Sequence, residues 1–109
     1  MNGKAQEAAR RGIRVELPAH LRTLAGVGYE LLVSVEGPVT TEKILDGVEA
    51  EYPVLEGTLR DHTTRMRRPF IRFFAGGEDW SHVSAQTEVP AAVASGAEVF
   101  IILGAIAGG

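Results

Sequence analysis

The last two residues of the chain, Gly108 and Gly109, are the ones whose type and position suggest chemistry. Glycine has no side chain to bury and loses more conformational freedom on ordering than other residues, so a Gly-Gly end adds little to folding. The α-carboxylate has a pKa of about 3.5 and is an anion and a poor electrophile at neutral pH. If ATP adenylated this carboxylate, a sulfur or nitrogen nucleophile could attack it.

The residues before the Gly-Gly end suit passage through a narrow channel to a bound nucleotide. From Gly104 onward, six extended residues reach about 20 Å. Gly104, Ala105 and Ala107 are small, and Ile106 is the one apolar side chain among them. We therefore interpret residues 104–109 as a tail that an activating enzyme threads into its site.

Other chemistry has little support in the sequence. His20, His62 and His82 lie far apart without the spacing of metal ligands. The chain has no cysteine, which excludes disulfides and thiolate sites and fits a reducing, cytoplasmic location. We predict no catalytic residue, no metal ion and no bound cofactor.

Composition predicts one domain of 109 residues that binds neither nucleic acid nor membrane and is a monomer when free. The net charge of −3 argues against general nucleic-acid binding. No apolar run approaches the roughly 18 residues needed to cross a bilayer. Residues 1–12 are predicted to be a disordered leader rather than a secretory signal, and residues 13–109 to form the domain.

Apolar and polar residues alternate in the first part of the chain and predict strands at 13–18 and 30–37. A glycine-punctuated connection, residues 19–28, is predicted between them. A helix should follow, with Thr40 as its N-cap and Pro53 at its end. Gly47 is tolerable inside this helix if the helix packs closely on a sheet.

The second half of the chain predicts three more strands: one at 69–75, a short edge strand at Trp80–Ser84, and a buried strand at Val99–Leu103. The predicted fold class is therefore α+β, with one main helix covering one face of a mixed sheet of four to five strands. A β-grasp meets that description.

The last predicted strand carries apolar side chains on both faces, and one helix can cover only one of them. We expect Phe100 and Ile102 to face the helix and Leu103 to point outward as a partner contact. Counting forward from "GAEV" gives the alternative in which Val99 and Ile101 are core, and the two counts agree only if a bulge intervenes. On the neighbouring strand, Phe70 or Phe73 would extend the patch; strand parity leaves this choice open.

The segment Arg60–Arg68 is basic and turn-rich, and acidic residues occur in and around the preceding helix. Two interpretations remain open. The segment is a charge-balanced surface, or Arg65, Arg67 and Arg68 dock on an acidic partner.

Residues 13–109 resemble the MoaD/ThiS family of ubiquitin-like sulfur carriers. The resemblance is carried by "VELPAHLRTLAG", "GPVTTEKILDGVEAEYPVL" and "SGAEVFIILGAIAGG". It implies a β-grasp fold and a terminal glycine, here Gly109, that a ubiquitin-activating-type enzyme adenylates with ATP. A thiocarboxylate then forms there and gives its sulfur to a synthase subunit that makes molybdopterin, thiazole, cysteine or another product. By resemblance, Gly108, Ala107 and Ile106 belong to the threaded tail.

Two features depart from this family. Gly104 stands where the family commonly has a proline, and the Arg60–Arg68 segment is longer and more basic than in the shortest carriers. The protein would be a co-substrate rather than an enzyme.

Two other functions compete with the sulfur carrier. One is a protein modifier joined through Gly109 to target lysines; with only Lys4 and Lys43, it would form few lysine-linked chains. The other is a β-grasp binding module that does not use its tail.

Overall fold

Residues 10–104 are described by a computed structural model of the chain, and residues 1–9 and 105–109 lie outside the described part. This part contains five strands, three α-helices and one short 3-10 helix. In chain order they are β1 (Arg10–Glu16), α1 (Ala19–Ala25), β2 (Glu30–Glu36), α2 (Thr41–Glu51), the 3-10 helix (Pro53–Leu55), β3 (Ile71–Ala75), β4 (Glu78–Asp79), α3 (Ala91–Ala94) and β5 (Phe100–Gly104).

The strands form one mixed sheet in the order β2-β1-β5-β3-β4. β1 and β2 pair antiparallel over their whole length, as expected for neighbouring strands. β5 lies parallel to β1 on one side and antiparallel to β3 on the other. The strand that leads to the chain end is therefore held from both sides. The predicted α+β class, with a sheet of four to five strands, is confirmed.

The main helix α2 packs on one face of the sheet. Its N-cap is Thr40, as predicted, and the Thr40 hydroxyl accepts a hydrogen bond from the backbone N–H of Lys43 at 3.2 Å. Ile44, Leu45 and Val48 of this helix are buried in the core. The core between the sheet and α2 also contains side chains from β1, β2, β3 and β5.

The predicted connection at residues 19–28 contains a helix, α1, that the sequence analysis missed. Gly26 ends it in the left-handed conformation, with φ of 70°, and donates to the carbonyls of the last turn. Only Leu21 of α1 is buried, so the helix lacks the broad apolar stripe that identifies longer helices.

The predicted edge strand at Trp80–Ser84 is wrong. The edge strand is β4, two residues long, and it pairs with Phe74 and Ala75. Gly76 and Gly77 both have positive φ and make the tight turn that brings β4 back against β3. The short helix α3 was also not predicted.

Two predicted boundaries shift. β1 begins at Arg10, so residues 10–12 belong to the sheet rather than to a leader. Gly104 pairs with Ile71 and belongs to β5 rather than to the tail. The remaining predictions for the leader and the tail concern residues outside the described range. Within residues 10–104, no helix has the length and apolar character to cross a membrane.

Candidate functional site

The base of the tail is fixed in the middle of the sheet. Gly104, the last described residue, pairs with Ile71 of β3. A Cβ on Gly104 would lie 3.0 Å from Cε1 of His20 and 3.4 Å from Cβ of Pro18, at the start of α1. A larger residue would have to displace this wall, which gives a local reason for glycine at this position. Ile106, Ala107, Gly108 and Gly109 lie outside the described residues.

The two faces of β5 differ as the sequence analysis expected. Phe100 and Ile102 are fully buried in the core that α2 helps to form. Leu103 points to the opposite face, called here the outer face, and 43% of it is exposed. The position of Leu103 agrees with the expectation, and its role in partner binding stays a prediction.

The two phenylalanines proposed to extend the Leu103 patch have different environments. Phe70, just before β3, is 47% exposed, whereas Phe73 is only 4% exposed. The prediction that Phe73 could belong to the exposed patch is therefore corrected. Phe73 pairs in register with Ile102, and its ring centroid lies 5.6 Å from that of Phe100 in the core.

A groove of about 470 Å³ lies on the outer face beside Leu103. It is apolar along one side and is bordered by the tight β3–β4 turn. Its lining residues are Arg14, Phe74, Gly76, Gly77, Ala97, Glu98, Val99, Ile101 and Leu103. Phe74, paired with Ile101, takes the place on this face that sequence analysis left to Phe70 or Phe73. Phe73 and Phe74 are adjacent in sequence, and the β3–β5 register determines that Phe73 faces the core and Phe74 the outer face.

Arg14 forms the polar border of this groove. Its guanidinium donates to the Glu30 carboxylate at 3.1 and 3.0 Å, and to the carbonyls of Gly96 and Ala97 at 3.1 and 3.2 Å. The hydrogen bonds from Arg14 to the Glu30 carboxylate lower the pKa of Glu30 from its ordinary value. Arg14 thereby attaches the segment before β5 to the sheet and helps to shape the groove.

The three arginines proposed for electrostatic docking all make contacts within the fold. Arg65 binds the Asp46 carboxylate at 2.6 Å. Arg67 donates to the Ile71 carbonyl at 2.6 Å, and Arg68 donates to the Gly57 carbonyl at 2.8 Å. Docking on a partner by these residues stays a prediction, and it would use the guanidinium N–H groups that make no hydrogen bond within residues 10–104.

Arg67 also protects the edge of the sheet. Because β4 has only two residues, the β4-side edge of β3 at residues 71–73 has no strand partner among residues 10–104. Arg67 binds the Ile71 carbonyl there, and the Ser81 hydroxyl accepts from the Phe73 N–H at 2.9 Å. Side chains thus pair backbone groups that would otherwise offer an open edge.

Arg60 is the basic residue whose position the sequence analysis did not foresee. Its side chain is 3% exposed and lies against α2. Nε and Nη2 bind both carboxylate oxygens of Glu49 at 3.0 and 2.9 Å, and Nη2 also binds Asp46. A buried arginine needs such partners because an isolated charge is costly to desolvate. Within residues 10–104, no group of three or more potential ligands is arranged to hold a metal ion.

No protein-family model matches this chain, and neither does any curated protein. Solved structures do match. The crystal structure of Haloferax volcanii small archaeal modifier protein 1 has a TM-score of 0.69 and 22% identity, covering 88% of this chain and 99% of that chain. The solution structure of small archaeal modifier protein 1 from Methanosarcina acetivorans has a TM-score of 0.62 and 20% identity, covering 92% and 98%.

The fold is the ubiquitin-like β-grasp. The predicted fold is confirmed by these likenesses and by the five-stranded mixed sheet with its main helix on one face. A third structure, that of the Haloferax volcanii HVO 2177 protein, agrees with a TM-score of 0.69 at 19% identity, covering 93% of this chain and 89% of that chain. Identities at this level establish the fold, and the narrower resemblance to MoaD/ThiS stays a hypothesis.

Proposed function

We propose that the protein is a ubiquitin-like sulfur carrier that acts in the cytoplasm as a co-substrate. The observation that carries the proposal is the position of β5 in the sheet. This strand ends at Gly104 and is followed in the sequence by AIAGG, which is mostly small residues and ends in Gly-Gly. Neighbouring strands on both sides fix the base of the tail, so that residues 105–109 can enter a partner enzyme while the domain stays folded.

The chemistry takes place at the carboxylate of Gly109. One carboxylate oxygen attacks the α-phosphorus of ATP and releases pyrophosphate, which leaves an acyl adenylate. A sulfur donor of the sulfide oxidation level then displaces AMP and leaves a thiocarboxylate. ATP belongs to the activating enzyme in this scheme, and a synthase subunit accepts the sulfur for molybdopterin, thiazole or cysteine synthesis.

The outer-face groove is the proposed docking site for the activating enzyme. It is apolar along one side, adjoins the base of the tail through Leu103, and includes Phe74 and Ile101. A contact patch next to the reacting tail can bind the partner while the tail reaches the nucleotide. Phe70 is exposed and is a further candidate contact.

The test is intact-mass spectrometry after incubation with ATP, a sulfide source and the cognate activating enzyme. The full chain should gain the mass difference between sulfur and oxygen. Deletion of Gly109, or addition of one alanine after it, should abolish the gain. The matched control carries the same alanine before Met1 and should react normally. Sulfur incorporation into the protein lacking Gly109 would contradict the proposal.

A protein modifier is the second candidate function, and the names of the similar solved structures, small archaeal modifier proteins, are what raise it. Both functions begin with adenylation of Gly109, and they differ in the final nucleophile. An isopeptide-linked Gly109 remnant on lysines of other proteins would support the modifier. Absence of both adenylation and sulfur gain would leave a β-grasp binding module that does not use its tail.

A further inference from the structure

A second cavity, of about 270 Å³, lies on the α2 side of the sheet and is independent of the proposed function. It is formed where the start of α2 meets the basic segment and residues 81–85. Its lining residues are Thr41, Leu45, Arg60, Arg65, Met66, Arg67, Phe73, Ser81, Val83 and Ala85. Three arginines line it, and no carboxylate from the described part of the chain does.

Each of these three arginines has donors without a hydrogen bond among residues 10–104, and Arg65 uses only Nη2, for Asp46. Arg60 uses Nε and Nη2 for its carboxylate partners, and its Nη1 has no hydrogen bond to any residue between 10 and 104. Arg67 uses Nε and Nη1 for carbonyls, and its Nη2 has no such partner in the same range. Their carboxylate and carbonyl contacts hold both guanidinium groups in place.

Thr41 is a second, independent observation that favours a polar ligand in this cavity. It is only 2% exposed, and its hydroxyl oxygen has no hydrogen-bond partner within the described residues. A buried hydroxyl without a partner destabilises the protein unless a ligand or water supplies the bond. Thr41 is also the first residue of the 11-residue helix α2, whose N-terminal end favours a negative charge.

The net charge of the cavity and its apolar wall indicate what kind of ligand fits. Asp46 and Glu49 neutralise two of the three arginine charges through their ion pairs, which leaves one positive charge for a ligand. The other wall is apolar and consists of Leu45, Met66, Phe73, Val83 and Ala85. A singly charged group on an apolar body fits both walls.

We propose that this cavity binds a small organic carboxylate, with its anionic group at Arg60, Arg65, Arg67 and the Thr41 hydroxyl. The apolar part of the ligand lies against Phe73 and Val83. Planar guanidinium groups suit a carboxylate because they donate two parallel hydrogen bonds. No covalent step is involved.

The test is an NMR titration of the full chain with benzoate, with benzyl alcohol as the uncharged counterpart. Benzoate should give saturable shifts at the backbone amides of Thr41, Phe73 and Ser81, and benzyl alcohol should bind much more weakly. Thr41→Val keeps the shape and removes the hydroxyl, and it should weaken benzoate binding by about threefold or more without lowering the melting temperature. Arg65→Gln should weaken it by about fivefold or more.

Arg72→Gln is the matched control, because Arg72 is an exposed arginine on the outer face, paired with Asp79. It should change benzoate affinity by less than about twofold. Equal losses in Arg65→Gln and Arg72→Gln, or an unchanged affinity in Thr41→Val, would overturn the proposal. Saturable binding of inorganic phosphate with no binding of benzoate would overturn the assignment to an organic carboxylate.

Discussion

Gly47 lies where α2 crosses β2, and the spacing between these elements depends on its missing side chain. A Cβ at this position would be 2.2 Å from Cγ1 of Val33. Val33 is fully buried and β-branched, so its side chain cannot rotate freely to make room. The sequence analysis found Gly47 tolerable on the condition that the helix packs closely on a sheet, and the structure meets that condition.

Gly47→Ala should therefore destabilise the protein, although alanine is the better helix former. Propensity alone would favour alanine by about 1 kcal/mol, but overpacking of this kind costs about 1–3 kcal/mol. We expect a net loss in the free energy of unfolding. Urea denaturation measures it, with the dependence of that free energy on urea concentration (the m-value) held the same for both proteins. An increase in stability would contradict the close approach.

The double variant Gly47→Ala with Val33→Ala provides the control. Val33→Ala creates a cavity and is destabilising by itself. Because the new methyl group would occupy part of that cavity, the double variant should lose less than the sum of the two single losses. Simple additivity would mean that the methyl group and Val33 do not compete for the same space.

The assignment of the β3 phenylalanines to the core or to the surface could not be made from the sequence. The run Pro69–Ala75 offers three phenylalanines, and alternation alone does not say which of them face the core. The register between β3 and β5 decides it, since Phe73 lies opposite Ile102 and Phe74 opposite Ile101. That register is a long-range property, and the local pattern does not encode it.

At the scale of elements, β5 joins the core to a surface. Its inward side chains are fully buried, and its outward side chains line the groove beside the tail. The two apolar sets in one strand predicted a buried face and a second apolar face, and the structure decides that Phe100 and Ile102 form the buried one. Because the sets are independent, a change to the outward set should affect binding and leave folding nearly intact.

Leu103→Arg should leave the melting temperature nearly unchanged and weaken binding to the activating enzyme by at least about 2 kcal/mol, the scale of an interface hot spot. Calorimetric titration and thermal unfolding measure the two effects. Leu24→Arg is the control, since Leu24 is also exposed but lies on α1. Equal losses in both variants, or unfolding of Leu103→Arg, would contradict the proposed docking face.

The elements that sequence analysis missed are short and carry few buried side chains. α1 has seven residues and one buried residue, so its helical period is barely sampled. β4 has two exposed residues and shows no alternation at all. The paired glycines at 76 and 77 were the available signal for a tight turn directly after β3. The longer elements were predictable because their apolar periods extend over several turns or residue pairs.

At the scale of the whole molecule, hydrogen-bonded carboxylates link stability to pH. The carboxylate of Asp61 accepts the backbone N–H groups of Thr63 and Thr64, each at 2.8 Å, and this lowers its pKa below the ordinary value. A lowered pKa in the folded state stabilises the protein above the unfolded value of about 3.9. The contribution disappears as the pH falls through the folded-state pKa.

Asp61→Asn should therefore be less stable than the original protein at neutral pH, and the difference should shrink as the pH falls below about 3.9. Urea denaturation at a series of pH values measures it. Glu56→Gln, which removes an exposed carboxylate with no ion pair among residues 10–104, controls for net charge. A stability difference for Asp61→Asn that persists unchanged in acid would contradict this linkage.

The parallel alignment of β1 and β5 has a mechanical consequence. β1 starts at Arg10 and β5 ends at Gly104, so the two ends of the described chain leave the sheet in opposite directions along neighbouring strands. Tension between these ends slides one strand along the other and loads their hydrogen bonds together, whereas an antiparallel pair pulled from one end opens bond by bond. Force applied between the two ends would therefore meet its greatest resistance at the β1–β5 pair, in the centre of the sheet.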